Sequence, residues 1–138
     1  MPEKSSRPKK LSPEKSRDLD IRIQFMEGLV RRDAEYVDAL QILGDHYTAR
    51  GRYEEGLKVD EKLARLEPGN ALVLYNLACS YSLTDQFELA AETLGQAITQ
   101  GYRDFKWLAK DPDLKKLRKH LFYRNIKEQI RKLKAGAL

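Results

Sequence analysis

The sequence predicts an all-α protein built as a solenoid of helical hairpins, with a helical cap at each end. Matching residues recur at a step of 34, as Leu43 and Tyr47 recur at Leu77 and Tyr81. A fixed period of this length is typical of stacked two-helix units. Runs rich in Val, Ile and Thr, which would predict strands, are few. Such stacks present a binding surface rather than a catalytic pocket.

The first segment, residues 1–18, is a basic polar tail in which Lys and Arg alternate with Ser and Pro. It contains too little apolar surface to offset the entropy that is lost on ordering, so we expect it to be disordered. It also lacks the apolar stretch of a secretory signal.

A cap helix is predicted over residues 19–34, because Ile21 and Phe25 follow helical spacing. We expect Asp18 or Asp20 to cap its N-terminus. In the frame of the repeat it stands where the second helix of a preceding unit would lie. We therefore interpret it as an incomplete repeat that covers the first hairpin.

Two hairpins follow, over residues 35–69 and 70–101, with helical parts expected at about 35–66 and 70–100. Breaks are predicted at residues 51–52 and 84–85, and Gly101 is expected to end the second unit. Small residues recur in the middle of the predicted helices and indicate close helix crossings: Gly44, Gly56, Ala78 and Ala90.

Residues 102–138 are predicted to form a degenerate repeat and a basic end helix. Asp111 is a suitable N-cap and Pro112 suits the first helical position. From there we predict an amphipathic helix that runs toward the end of the chain. Its apolar face consists of Leu114, Leu117, Leu121, Phe122, Ile126, Ile130 and Leu133.

The two hairpins resemble tetratricopeptide repeats (TPR) over about half of the chain. The first unit carries the pattern Leu40-x-x-Leu43-Gly44-x-x-Tyr47, followed by Gly51 and Pro68. The second carries Leu74, Leu77-Ala78, Tyr81, Phe87, Ala90 and Ala97. Residues 101–118 also resemble a closing segment seen in some small TPR proteins. Asp60 departs from the family pattern, which has an apolar residue there, so we expect it to face solvent or to pair with a base.

The resemblance implies a function as a non-catalytic scaffold or adaptor, which binds a peptide or helical segment of a partner protein on its concave face. The first helix of each unit lines that face. The residues predicted to form the groove are Asp38, Gln41, Asp45, Thr48, Tyr75, Asn76, Cys79 and Ser82. Its carboxylates argue against a clamp for an acidic chain terminus and favour a basic or mixed partner.

An alternative function follows from the uneven charge. Residues 114–138 carry a net charge of +8, residues 1–18 carry +3, and the middle of the chain carries −6. The basic ends solvate a helix face, bind nucleic acid or another anionic surface, or associate with the acidic middle of the chain. The candidate basic surface consists of Lys115, Lys116, Lys119, Arg124, Lys127 and Arg131.

The sequence predicts no catalysis, cofactor or metal. Cys79 is the single cysteine, and with His46 and His120 it shows no metal-ligand spacing. No Gly-rich phosphate loop is present. No apolar run is long enough to span a membrane. We expect a cytoplasmic monomer.

Overall fold

The computed structural model of the protein describes residues 11–136, and within this range it is helical with no strand. This confirms the all-α prediction. Eight α-helices and one 3₁₀ turn follow one another across the described residues. They are α1 (Pro13–Arg32), α2 (Val37–Arg50), α3 (Tyr53–Leu66), α4 (Ala71–Leu83), α5 (Phe87–Thr99), α6 (Phe105–Leu108), the 3₁₀ turn (Pro112–Leu114), α7 (Lys115–Arg118) and α8 (Tyr123–Gly136).

The N-terminus of α1 is capped by Ser12, not by an aspartate. The Ser12 hydroxyl oxygen accepts a hydrogen bond from the Lys15 backbone N–H at 3.1 Å, and Pro13 occupies the first helical position. The prediction that Asp18 or Asp20 caps this helix is wrong, because the combination of Ser and Pro starts it about two turns earlier.

The predicted tail is correspondingly shorter than residues 1–18. Residues 13–18 belong to α1, so the expectation of disorder is wrong for them. A cap and a good first residue stabilise this turn although its side chains are polar and mostly exposed. The rest of the tail prediction, over residues 1–10, lies outside the described residues.

The two predicted hairpins are present as α2–α3 and α4–α5, and their turns are equivalent. Gly51, after α2, has φ 86°, and Asp85, at the matching position of the second hairpin, has φ 62°. Gly101 has φ 115°, in agreement with its predicted place at the end of the second unit. These left-handed positions reverse the chain after α2, α4 and α5.

A tyrosine–glutamate hydrogen bond repeats at the same step. The Tyr81 hydroxyl on α4 donates to Glu61 on α3 at 3.0 Å, and the Tyr47 hydroxyl on α2 donates to Glu27 on α1. Glu27 thus takes the place in α1 that Glu61 takes in α3. This supports the interpretation of α1 as the second helix of an incomplete repeat.

The helices of the first hairpin cross closely at two glycines. A Cβ atom on Gly56 would lie 3.1 Å from the Thr48 hydroxyl, and one on Gly44 would lie 3.1 Å from an Asp60 carboxylate oxygen. In the second hairpin Ala90 is fully buried at the position equivalent to Gly56. Small residues at these positions let the helix axes approach, as their pattern predicts.

Asp60 does not face solvent, so that expectation is wrong, and its pairing with a base stays a prediction. Only 3% of its surface is exposed, and its carboxylate accepts a hydrogen bond from the Ser80 hydroxyl on α4. A polar residue at this apolar position is tolerated because the next repeat supplies a donor. The bond connects the two hairpins through their interior.

The closing segment, residues 102–136, keeps the 34-residue spacing of the repeats, but its helices are short and interrupted. The helices α2, α4 and α6 begin at equal spacing along the chain. Asp111 is the predicted N-cap, and its side chain accepts the Asp113 N–H. However, the helix predicted to run on from Pro112 is interrupted at residues 119–122. The chain turns there, and α8 packs back against α5. Leu121 consequently lies 66% exposed in this turn instead of on an apolar helix face.

The largest core cluster joins the second hairpin to the closing segment. Leu94 and Ile98 of α5 are fully buried with Leu114 and Leu117, and Ile126 of α8 completes this cluster. The helix α1 covers the other end through a smaller cluster around Ile23 and Met26. None of the helices in residues 11–136 has the length and apolar character needed to cross a bilayer.

Candidate binding surface

The predicted groove is open along α2 from Asp38 to Asp45. Asp38 and Asp45 are exposed, and Gln41 between them is partly exposed. They lie on one side of the helix because they are three and four residues apart. Two carboxylates and an amide can accept hydrogen bonds from basic or amide donors of a partner.

Thr48, the last predicted groove residue of α2, offers no surface to a partner. It is 1% exposed and lies against Gly56 in the crossing of α2 and α3. Its hydroxyl oxygen is buried without a hydrogen-bond partner among the described residues. Thr48 therefore belongs to the packing of the first hairpin.

Three groove residues predicted on α4 are covered by the chain itself. Tyr75, Cys79 and Ser82 each have 0% exposure. The Tyr75 ring stacks on Tyr102 with centroids 4.2 Å apart, and its hydroxyl donates to Asp111 at 2.6 Å. In this arrangement the closing segment occupies the face of α4 on which a partner was expected.

Asn76 lies beside the covered face and is partly exposed. Its side-chain oxygen is buried and has no hydrogen-bond partner among the described residues. The place of Asn76 in the groove stays a prediction.

The closing segment brings together a buried polar cluster that sequence spacing did not suggest. Potential ligand atoms of Cys79, Asp111 and Asp113 lie within 4.8 Å of one another. His46 and His120 are not members of this group. Cys79 lies far from the two aspartates along the chain and forms no recognisable metal motif with them, so only the fold reveals the cluster.

Hydrogen bonds within the cluster give Asp111 a structural role. One carboxylate oxygen accepts from the Tyr75 hydroxyl and lies 3.7 Å from the Cys79 sulfur, and the other accepts the Asp113 N–H at 2.9 Å. Burial, and then the nearby Cys79 and Asp111, raise the pKa of Tyr75 far above its ordinary value. The phenol therefore stays protonated and remains a donor that holds the 3₁₀ turn on α4.

Arg118 fastens the same turn from the other side. Its guanidinium donates to the backbone carbonyls of Leu108 at 2.9 Å and Asp111 at 2.8 Å. Leu108 is the last residue of α6, so its carbonyl receives no N–H from that helix. The Asp111 carbonyl also accepts the Leu114 N–H at the start of the next turn. The closing segment is thus attached by both side-chain and backbone hydrogen bonds.

All six residues of the alternative basic surface are exposed. Two of them form ion pairs, Lys116 with Asp85 at 3.1 Å and Arg131 with Glu128 at 2.6 Å. The hydrogen bond from Arg131 lowers the pKa of Glu128. The other four cations make no ion pair with any residue of the described range: Lys115, Lys119, Arg124 and Lys127.

Comparisons with known proteins find relatives that match this chain over only part of their length. No protein-family model matches the chain. It is 37% identical over 79 residues to a chloroplastic protein of Arabidopsis thaliana, in a match that covers 55% of this chain and 24% of that protein. It is 35% identical over 91 residues to the peroxisomal targeting signal receptor of Komagataella phaffii, covering 64% of this chain and 16% of the receptor. It is 30% identical over 97 residues to the PEX5-related protein of Mus musculus, covering 70% of this chain and 17% of that protein. This chain therefore spans about a quarter or less of the length of these curated relatives.

Proposed function

We propose that this chain is a non-catalytic, TPR-like protein-interaction module, which binds an extended or helical segment of a partner protein. The observation that carries the proposal is the repetition of whole hairpins at a constant step, including the Tyr47–Glu27 and Tyr81–Glu61 hydrogen bonds. Stacked units of this kind create extended concave surfaces. The similarity to a protein named as a targeting signal receptor supports the same class of function.

Binding is proposed to centre on α2, because the corresponding side of α4 is covered. Asp38, Gln41 and Asp45 keep accessible side chains, whereas Tyr75, Cys79 and Ser82 have none. Two carboxylates on this surface favour a partner segment with Lys or Arg over an acidic one. Asn76 on α4 extends the surface toward the second unit.

Site-specific photo-crosslinking tests this proposal. The full chain would carry a benzoyl-phenylalanine at Gln41 or, as a control, at the exposed Glu88 on α5. In an extract of the source organism, we expect a protein adduct at Gln41 that the control position does not form. Asp45→Lys should abolish this adduct, while Lys116→Glu with Lys119→Glu should leave it. Equal adducts at both positions, or an adduct that survives Asp45→Lys, would contradict groove binding.

A second candidate function is binding of nucleic acid through the basic surface. It is favoured by the four cations of this surface that form no ion pair within residues 11–136. Phosphate contacts release counterions, so the affinity should fall steeply with salt. Fluorescence anisotropy of a labelled single-stranded RNA would measure this dependence. A salt-sensitive affinity that Lys115→Glu with Lys119→Glu removes would support this function, and no binding at low salt would exclude it.

A further inference from the structure

The outward side of α1 carries an apolar strip that nothing in residues 11–136 covers. Ile21 and Phe25, one helical turn apart, are each 65% exposed. The opposite side of the same helix carries Ile23 and Met26, which are buried against α2. Among the described large apolar side chains, only that of Leu121 is more exposed than those of Ile21 and Phe25.

Gly28 lies on the same strip, one turn after Phe25, and no contact within residues 11–136 requires a glycine there. A Cβ atom at Gly28 would meet only the end of the Arg31 side chain, at 3.8 Å. Gly in a helix interior costs about 1 kcal/mol relative to Ala. The glycines of the first hairpin lie where two helices cross closely, and an outward glycine is suited to the same kind of contact with a helix from outside.

Acidic residues lie toward the N-terminal end of this strip, and a basic residue lies at its C-terminal end. Glu14 and Asp18 precede the apolar pair, and Arg32 follows it, all of them exposed. Helical geometry places them on the side of α1 that carries Ile21 and Phe25. This order also suits the helix dipole, so it requires a test that separates the two explanations.

An antiparallel copy of α1 matches the strip at three pairs of positions. Rotation about a twofold axis midway between Ile21 and Phe25 sets Ile21 of one copy against Phe25 of the other. The same rotation sets Glu14 against Arg32, and Asp18 against Gly28, where the absent side chain leaves room. A parallel copy would instead set like charges against each other. The strip is thus self-complementary, as an isologous interface requires.

We propose that the outward side of α1 is a homodimer interface, in which two copies pack their α1 helices antiparallel. This inference concerns a surface separate from the α2 groove and does not depend on the proposed function. It replaces the expectation of a monomer. A single helix pair is small for a stable interface, so the dimer should dissociate at a Kd between about 1 µM and about 1 mM.

Sedimentation velocity of the full chain over this concentration range tests the proposal. We expect the wild type to shift from monomer to dimer, and Phe25→Glu to weaken association at least about tenfold. Leu89→Glu changes another exposed apolar residue, on α5 (40% exposed), and should leave association unchanged. Circular dichroism would verify that all variants remain helical. A wild type that stays monomeric throughout, or a control that weakens association as much as Phe25→Glu, would overturn the proposal.

A charge swap tests the antiparallel register. Glu14→Arg and Arg32→Glu should each weaken the dimer, and the double variant should restore the affinity to within about threefold of the wild type. Within one helix the two residues are about 27 Å apart and have no contact, so rescue must come from the second copy. A double variant weaker than either single variant would instead assign the effect to the helix dipole and contradict this interface.

Discussion

Ser80 and Ser82 lie on the same helix and are almost equally buried, but they differ in their partners. Ser80 donates to the buried Asp60, whereas the Ser82 hydroxyl has no hydrogen-bond partner among the described residues. Removing a donor from a buried carboxylate costs about 1–3 kcal/mol, whereas removing an unpaired hydroxyl costs little. We therefore expect Ser80→Ala to destabilise the protein by about that amount.

Urea unfolding of the two alanine variants measures this difference directly. Ser82→Ala serves as the matched control and should stay within about 0.5 kcal/mol of the wild type. If both variants lost the same stability, the bond between Ser80 and Asp60 would not contribute to folding.

His46 should make the protein less stable at mildly acidic pH. Burial, and then the charge of Arg22, lower the pKa of His46 from its ordinary value of 6.5. Below pH 6.5 the His46 imidazole is therefore protonated to a greater extent in the unfolded chain than in the folded chain. The free energy of unfolding consequently falls as the pH falls through this region. Above it, both states hold a neutral imidazole and the effect disappears.

The measurement is the free energy of unfolding of the wild type and of His46→Gln between about pH 7.5 and about pH 5.5. The wild type should lose more stability than the variant over this interval. Comparing the two chains subtracts the titration of carboxyl groups common to both. Parallel curves would mean that the pKa of His46 is not lowered by folding.

At the scale of the element, the second hairpin, α4–α5, depends on a close helix crossing at small residues. Ala90 is fully buried in α5, at the position where Gly56 meets α2 in the first hairpin. Ala90→Leu adds bulk at a fully buried position, which typically costs about 1–3 kcal/mol. The exposed Glu88, on the same helix, provides the control.

Thermal unfolding followed by circular dichroism distinguishes the two substitutions. Ala90→Leu should lower Tm, and Glu88→Leu should leave it nearly unchanged. An unchanged Tm for Ala90→Leu would show that α4 and α5 are not in tight contact at this position.

Most helix positions were predictable because the determinants are local. The constant repeat step, the small residues and the left-handed positions Gly51, Asp85 and Gly101 all mark element boundaries through nearby residues of the chain. The break at residues 119–122 was not predictable in this way. Leu117, Leu121 and Phe122 maintain an apolar spacing across it, so periodicity alone continues the helix.

At the scale of the whole molecule, the closing segment completes the core of the second hairpin. Leu117 of α7 is fully buried in that core, whereas Leu121, four positions later, is 66% exposed. Truncating a fully buried leucine to alanine costs about 2–5 kcal/mol because a cavity remains. We expect Leu117→Ala to destabilise the whole protein by this amount.

Leu121→Ala removes the same atoms from the surface and should be within about 0.5 kcal/mol of the wild type. Chemical denaturation of both variants, monitored by the helical signal, gives the two values. If Leu121→Ala were as destabilising as Leu117→Ala, the division of the end helix would be incorrect.

By itself the sequence determined the helical class, the repeat step and the position of the hairpins, because spacing and turn residues act over short distances. Only the tertiary structure decided which predicted groove residues are accessible. Tyr75, Cys79 and Ser82 are suited to a concave face by their spacing, but the closing segment returns with Tyr102 and Asp111 to cover that side of α4. The same holds for Asp60, whose donor Ser80 lies in the next repeat. Burial is a property of which segments meet in space, and the spacing of residues along one helix does not contain that information.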